Sequence, residues 1–184
     1  DSLPAFVRSI FIDLDGTLTD PREGIVRCIQ HALTRLGRSS PPAHELERFI
    51  GPPLARAFQE LLGTQDPVQI DAALAAYRAR FATVGIFENH VLPEIPAALA
   101  RLHRAGRELY LVTVKPRPFA ERIADHFELR RHLRAIHGPD LTNRAPDKAL
   151  ILREALEAHG DDPRSAVMVG DRADDVAAAR QNRV

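Results

Sequence analysis

A chain of 184 residues, 45% hydrophobic and 27% charged, is long enough to bury a core and is expected to form one or two domains. Its 25 basic and 25 acidic residues balance, so no cationic surplus points to a nucleic-acid backbone or an acidic membrane surface; a small-molecule partner is expected. One cysteine, Cys28, excludes a disulfide framework, and no run approaches about 18 apolar residues, so the expectation is a cytoplasmic protein, monomer or homodimer, without a signal peptide.

The apolar stretch from Val7 to Ile12 predicts a first buried strand. Asp20, Pro21 and Glu23 then predict a helix start, with Asp20 as N-cap and Pro21 at the first helical position. That helix carries Ile25, Ile29, Ala32, Leu33 and Leu36 on one face and stops at Gly37. Further helical patterns cover His44 to Ile50, Leu54 to Leu62 and Pro67 to Ala82, the last capped by Asp66. Residues 20–86 therefore read as an all-helical block, far longer than the dozen or so residues a parallel crossover needs.

From Pro93 the pattern alternates. A helix through Ile95, Leu99 and Leu102 ends at Gly106, and the apolar run Leu109 to Val112 is a second buried strand closed by Thr113. Lys115 to Pro118 opens a helix bearing Phe119, Ile123 and Phe127. A weaker strand follows at Leu133 to His137, and Pro146 opens a helix that Gly160 ends. Ala166 to Val169 is the last strand, running into Gly170-Asp171 and a short helix. Strand and helix in alternation predict an α/β fold, a parallel sheet flanked by helices, with the helical block as a separate layer or small domain. The expected boundaries are 1–19 and 87–184 for the sheet core and 20–86 for the helical block. Ligands bind at the carboxyl ends of such strands, where Asp13, Thr113 and Asp171 stand.

Phe11-Ile12-Asp13-Leu14-Asp15-Gly16-Thr17 is the most pointed stretch. A buried strand that ends in two carboxylates needs positive charge or strong donors beside them, so a metal or a donor set is implied; a solvated turn is the plain alternative. Of the 25 basic residues 23 are Arg, which singles out the two lysines, Lys115 and Lys148. Lys148 falls in the first turn of its helix, where the dipole disfavours a cation and a nearby anion would explain it.

Asp13-Leu14-Asp15-Gly16-Thr17 at a strand end resembles the first signature of the haloacid-dehalogenase-like phosphatase superfamily. Thr113, Lys148 and Gly170-Asp171-Arg172-Ala173-Asp174-Asp175 resemble the other three, in order and spacing. Lys115-Pro116 resembles the Lys-Pro that follows the strand-end Thr in phosphoglycolate-phosphatase-like and nucleotidase-like members, while Val114 departs from the usual Ser or Asn. The resemblance implies a nucleophile at Asp13, an acid/base at Asp15, and phosphate contacts from Gly16, Thr17, Thr113, Val114, Lys115 and Lys148. It also implies Mg²⁺ on Asp13, Asp15, Asp171 and Asp175, and a Rossmann-like three-layer parallel sheet core in which residues 20–86 are an inserted α-helical cap.

The function implied is hydrolysis of a small phosphorylated metabolite through an aspartyl-phosphate. 2-Phosphoglycolate is the first expectation; nucleoside monophosphates and sugar phosphates, including a β-phosphoglucomutase-like mutase reaction, follow. A phospho-acceptor signalling module is the alternative of a different class. The family usually carries a further strand after the last helix, so either a shortened chain or a smaller sheet is expected. Arg22, Asp174 and the histidines His31, His44, His90 and His137 receive no role.

Overall fold

Ser9–Ile12 forms strand β1 with all four side chains buried, Ile10, Phe11 and Ile12 in the apolar core and Ser9 donating its hydroxyl to the Asp161 carboxylate. In the computed structural model, which describes residues 4, 6–143 and 145–184, the chain divides into two compact units. One comprises residues 1–20 and 91–184, the other residues 21–90.

In chain order the first unit continues through β2 (Thr19–Asp20). The helical unit holds α1 (Arg22–Arg35), α2 (Ala43–Leu46) with a 3₁₀ turn at Glu47–Phe49, α3 (Leu54–Leu62), and α4 (Pro67–Arg80) with a π-helical turn at Phe81–Gly85. After the short strand β3 (His90–Val91) come α5 (Ile95–Arg104), β4 (Glu108–Val112), α6 (Arg117–His126), β5 (Ala135–His137), α7 (Lys148–His159), β6 (Ala166–Val169) and α8 (Ala173–Asn182).

The sheet has the order β5-β4-β1-β6, and every pairing is parallel. Ile10 lies beside Leu109 on one flank and Val167 on the other, so β1 is central. On one face Phe11, Tyr110 and Val112 pack with Ile151, Leu152, Ala155 and Leu156 of α7 and Ala178 of α8. The Phe11 and Tyr110 rings stack there at 4.9 Å. Ile10, Ile12, Leu109 and Leu111 have the opposite parity and are just as buried, so both faces are covered. Burying about ten such side chains, at roughly 1.5–3 kcal/mol each, fixes the plane from which the strand ends project.

Three local expectations change. Asp20 does not cap α1: its backbone is extended in β2, the helix begins one residue after Pro21, and no side chain caps it. Pro146 does not open α7, because Asp147 is the N-cap and accepts the Ala149 N–H at 2.8 Å. Lys148 is thus the first helical residue. The four apolar residues of β6 read as a strand covered on both faces, yet Val169 is 45% exposed because β6 is the sheet edge.

The helical unit has its own core. Phe58 meets Tyr77 edge-on and Tyr77 stacks on Phe81, joining α3, α4 and the π-turn. α1 approaches that turn so closely that a Cβ on Gly24 would lie 2.1 Å from the Gly85 carbonyl oxygen. Among the described residues no helix is long and apolar enough to cross a membrane.

Candidate active site

Parallel strands of matched register end side by side, which brings three loops together. The β ladders run one residue past the strands: the Asp13 N–H donates to the Val169 carbonyl at 2.9 Å, and the Thr113 N–H to the His137 carbonyl at 3.1 Å. Asp13 is therefore held by backbone as well as by side chain.

Its carboxylate is 3% exposed and accepts from a buried ammonium, with Lys148 Nζ 2.9 Å from Oδ1. The same ammonium lies 2.5 Å from Asp175 Oδ1. Such a buried lysine is tolerable because two carboxylates compensate its lost hydration. The second Asp175 oxygen accepts the Arg172 N–H at 3.0 Å and so fixes the start of α8. Gly170 makes this geometry accessible, since a Cβ there would stand 2.1 Å from the Asp175 carboxyl carbon.

Asp171 is exposed and sits against the first loop. Thr17 Oγ1 donates to its Oδ1 at 3.1 Å. Gly16, at φ +88°, passes so near that a Cβ would lie 2.3 Å from Asp171 Oδ2, so only glycine satisfies both the dihedral and the contact.

Asp13, Asp171 and Asp175 can each offer one oxygen with all three inside 4.8 Å. Burial pushes the Asp13 carboxyl from its ordinary 3.8 up to about 6, against the pull of Lys148, and neighbouring Asp175 adds to the rise. Asp13 and Asp175 thus share one ammonium, and Asp171 adds a third carboxylate beside them. An all-carboxylate set with surplus negative charge fits a hard divalent cation, and the residues present suit one.

Asp15, the fourth carboxylate of the expected metal set, is turned elsewhere. Its Oδ2 is 2.8 Å from Lys115 Nζ, while its Oδ1 is buried with no hydrogen-bond partner. Thr113 is 1% exposed; its hydroxyl oxygen accepts the Lys115 N–H at 3.1 Å and keeps its own proton to donate. Val114 packs its side chain against the apolar cluster under α7, so only its backbone is available to a ligand. Lys115, expected on phosphate, has Asp15 at its ammonium.

Asp174 is exposed on the first turn of α8, and Arg22 is exposed in the helical unit. His137 pairs with His159, Nε2 to Nε2 at 3.0 Å, outside the carboxylate group. Sequence reasoning gave no part to Gly138, yet a Cβ there would meet the Lys115 carbonyl oxygen at 2.8 Å and the Thr113 carbonyl oxygen at 3.2 Å. A glycine directly after a short strand was the available signal.

The family described as haloacid dehalogenase-like hydrolase matches residues 10–184. A Pseudomonas aeruginosa protein named 5'-nucleotidase is 43% identical over 176 residues, covering 96% of this chain and 79% of the relative. A Cupriavidus necator phosphoglycolate phosphatase is 34% identical over 183 residues, covering 97% and 78%. A Mycobacterium tuberculosis protein named tyrosine-protein kinase PtkA is 35% identical over 171 residues, and this chain spans 57% of its length. Among solved structures, a Clostridium acetobutylicum protein described as a predicted phosphatase superposes with a TM-score of 0.89 at 34% identity, over 97% of this chain and 82% of that one.

Proposed function

We propose that this chain, a phosphatase that belongs to the haloacid dehalogenase-like hydrolase family, hydrolyses a small phosphomonoester with Mg²⁺ through an aspartyl-phosphate on Asp13. Residues 21–90 are its cap. The observation that carries the reading is the buried Asp13–Lys148–Asp175 group with Asp171 beside it: a nucleophile, a fixed cation and surplus carboxylate oxygens at one strand end.

Asp13 attacks the phosphorus, and the ester oxygen departs with a proton from Asp15. Asp15 then takes a proton from the water that cleaves the aspartyl-phosphate. The Thr113 hydroxyl donates to a phosphoryl oxygen, and Lys148 keeps the approach of anion to anion tolerable. Asp13 and Asp171 would hold Mg²⁺ with Asp175 behind them; when bound, the ion neutralises charge on the transferring phosphoryl group.

The sequence alone ranks 2-phosphoglycolate first. The identity of 43% to the relative named 5'-nucleotidase, against 34% to the phosphoglycolate phosphatase, supports trying a nucleoside 5'-monophosphate first. Phosphate release should be measured over nucleoside monophosphates, 2-phosphoglycolate and sugar phosphates, with Mg²⁺ and with chelator. Chelator-sensitive release with one preferred ester supports the reading. Phosphate moved to an acceptor other than water, the outcome favoured by the kinase-named relative, would replace it.

A further inference from the structure

We infer that Lys115 is a positioning residue for Asp15: its ammonium orients the acid that protonates the leaving oxygen and does not bind the phosphate. The inference rests on the phosphatase reading above and assigns Lys115 a different task from the phosphate contact that its place in the sequence implies.

The loop from Thr113 to Lys115 is a fixed support. The Lys115 N–H is tied to the Thr113 hydroxyl, and Gly138 lets the Thr113 and Lys115 carbonyls lie against the loop after β5 with no room for a Cβ. From this support the Lys115 side chain runs inward, 8% exposed, to place Nζ 2.8 Å from Asp15 Oδ2. The pair joins residues 100 positions apart, so it sets the attitude of Asp15 relative to β4 and to its own strand end.

The geometry also separates the two oxygens of Asp15. One is occupied by the ammonium, and the other is buried with no partner. An ammonium is a point charge that engages one oxygen of a carboxylate and leaves the group free to turn about that contact. A guanidinium fork pairs with both oxygens of a carboxylate, which gives a reason for lysine here in a chain that otherwise has 23 Arg and only Lys148 besides. Lys148 does the corresponding work at Asp13, so each catalytic carboxylate has its own lysine.

The test compares leaving groups. General acid catalysis matters for a poor leaving group such as an alkoxide and hardly at all for p-nitrophenolate, which departs without a proton. kcat/KM reports the steps up to departure of the leaving group, before Asp15 is needed as a base. Lys115→Met should lower kcat/KM for the preferred alkyl phosphate about 10- to 100-fold and change that for p-nitrophenyl phosphate less than about threefold. Asp15→Asn should show the same contrast more strongly. Adding Lys115→Met to Asp15→Asn should then cost nothing further, a cycle that reads coupling even if the single variant is less stable.

Equal losses on both esters for Lys115→Met, or full additivity in the double variant, would overturn the inference and return Lys115 to the phosphate. An Asp15→Asn variant indifferent to the leaving group would instead overturn the acid assigned under the phosphatase reading.

Discussion

Two charge networks, one in each unit, behave in opposite ways. In the helical unit one acid stands between two cations: Glu88 takes both arms of Arg80, at 2.6 and 2.9 Å, and Arg27 at 2.8 Å. Its carboxyl is held below the ordinary range chiefly by the Arg80 hydrogen bond, and the network is complete in itself. In the sheet unit the ratio is reversed: Asp13 and Asp175 both pair with Lys148, Asp171 lies beside them, and the Asp13 carboxyl is pushed up. The first network staples α1 and α4 to the segment after the π-turn. The second carries more negative charge than the lysine beside it neutralises, the imbalance expected of a site proposed to take a cation and a substrate.

The largest effect should come from breaking the second network at its nucleophile. Asp13→Asn is expected to remove turnover, by more than about 10⁴-fold in phosphate release, with the circular dichroism spectrum unchanged. Next, Lys148→Ala should lower kcat/KM by about 10²–10³-fold, and by more than Lys115→Ala does with the same natural ester. The reverse order would mean that the phosphate lies nearer Lys115.

Stability should move in opposite directions in the two networks. Glu88→Ala strips the shared acid from two arginines and should cost about 2 kcal/mol in denaturant unfolding. Asp13→Asn should stabilise the metal-free protein at neutral pH, because a carboxyl held at about 6 instead of 3.8 ionises at a cost of about 3 kcal/mol at most. The sign follows from the raised value: the folded state binds this proton more tightly, so stability from Asp13 falls as pH rises from about 4 to about 6. In Asp13→Asn that segment of the pH–stability curve should flatten. Activity has the opposite slope, since the nucleophile must be ionised, and kcat/KM should climb through a midpoint at or below about 6, a bound cation moving it lower.

The sequence made the second network's members legible and left their partnerships hidden. Asp13, Thr113, Lys148 and Asp171 stand out because each follows a local pattern, an apolar run or a helix start, that can be read in a window of a few residues. The pairing of Asp15 with Lys115 joins β1 to β4 across the sheet, and no local pattern encodes it. The Asp20 cap failed for a related reason: an acid before a proline is a sound local signal, but the Thr19–Asp20 strand set the backbone first. In the helical unit the periodicity located α3 to the residue. The Glu88 staple was unreadable, because Arg27 is 61 residues from its partner.

In the proposed mechanism Asp13 carries the phosphoryl group in passing. Quenching the enzyme during turnover and reducing the protein with borohydride converts an aspartyl-phosphate to homoserine, which peptide mass spectrometry locates. Homoserine at position 13, absent without substrate, is the predicted result. Phosphate release with Asp13 unmodified and homoserine at another acid, or none at all under single-turnover conditions, would contradict it.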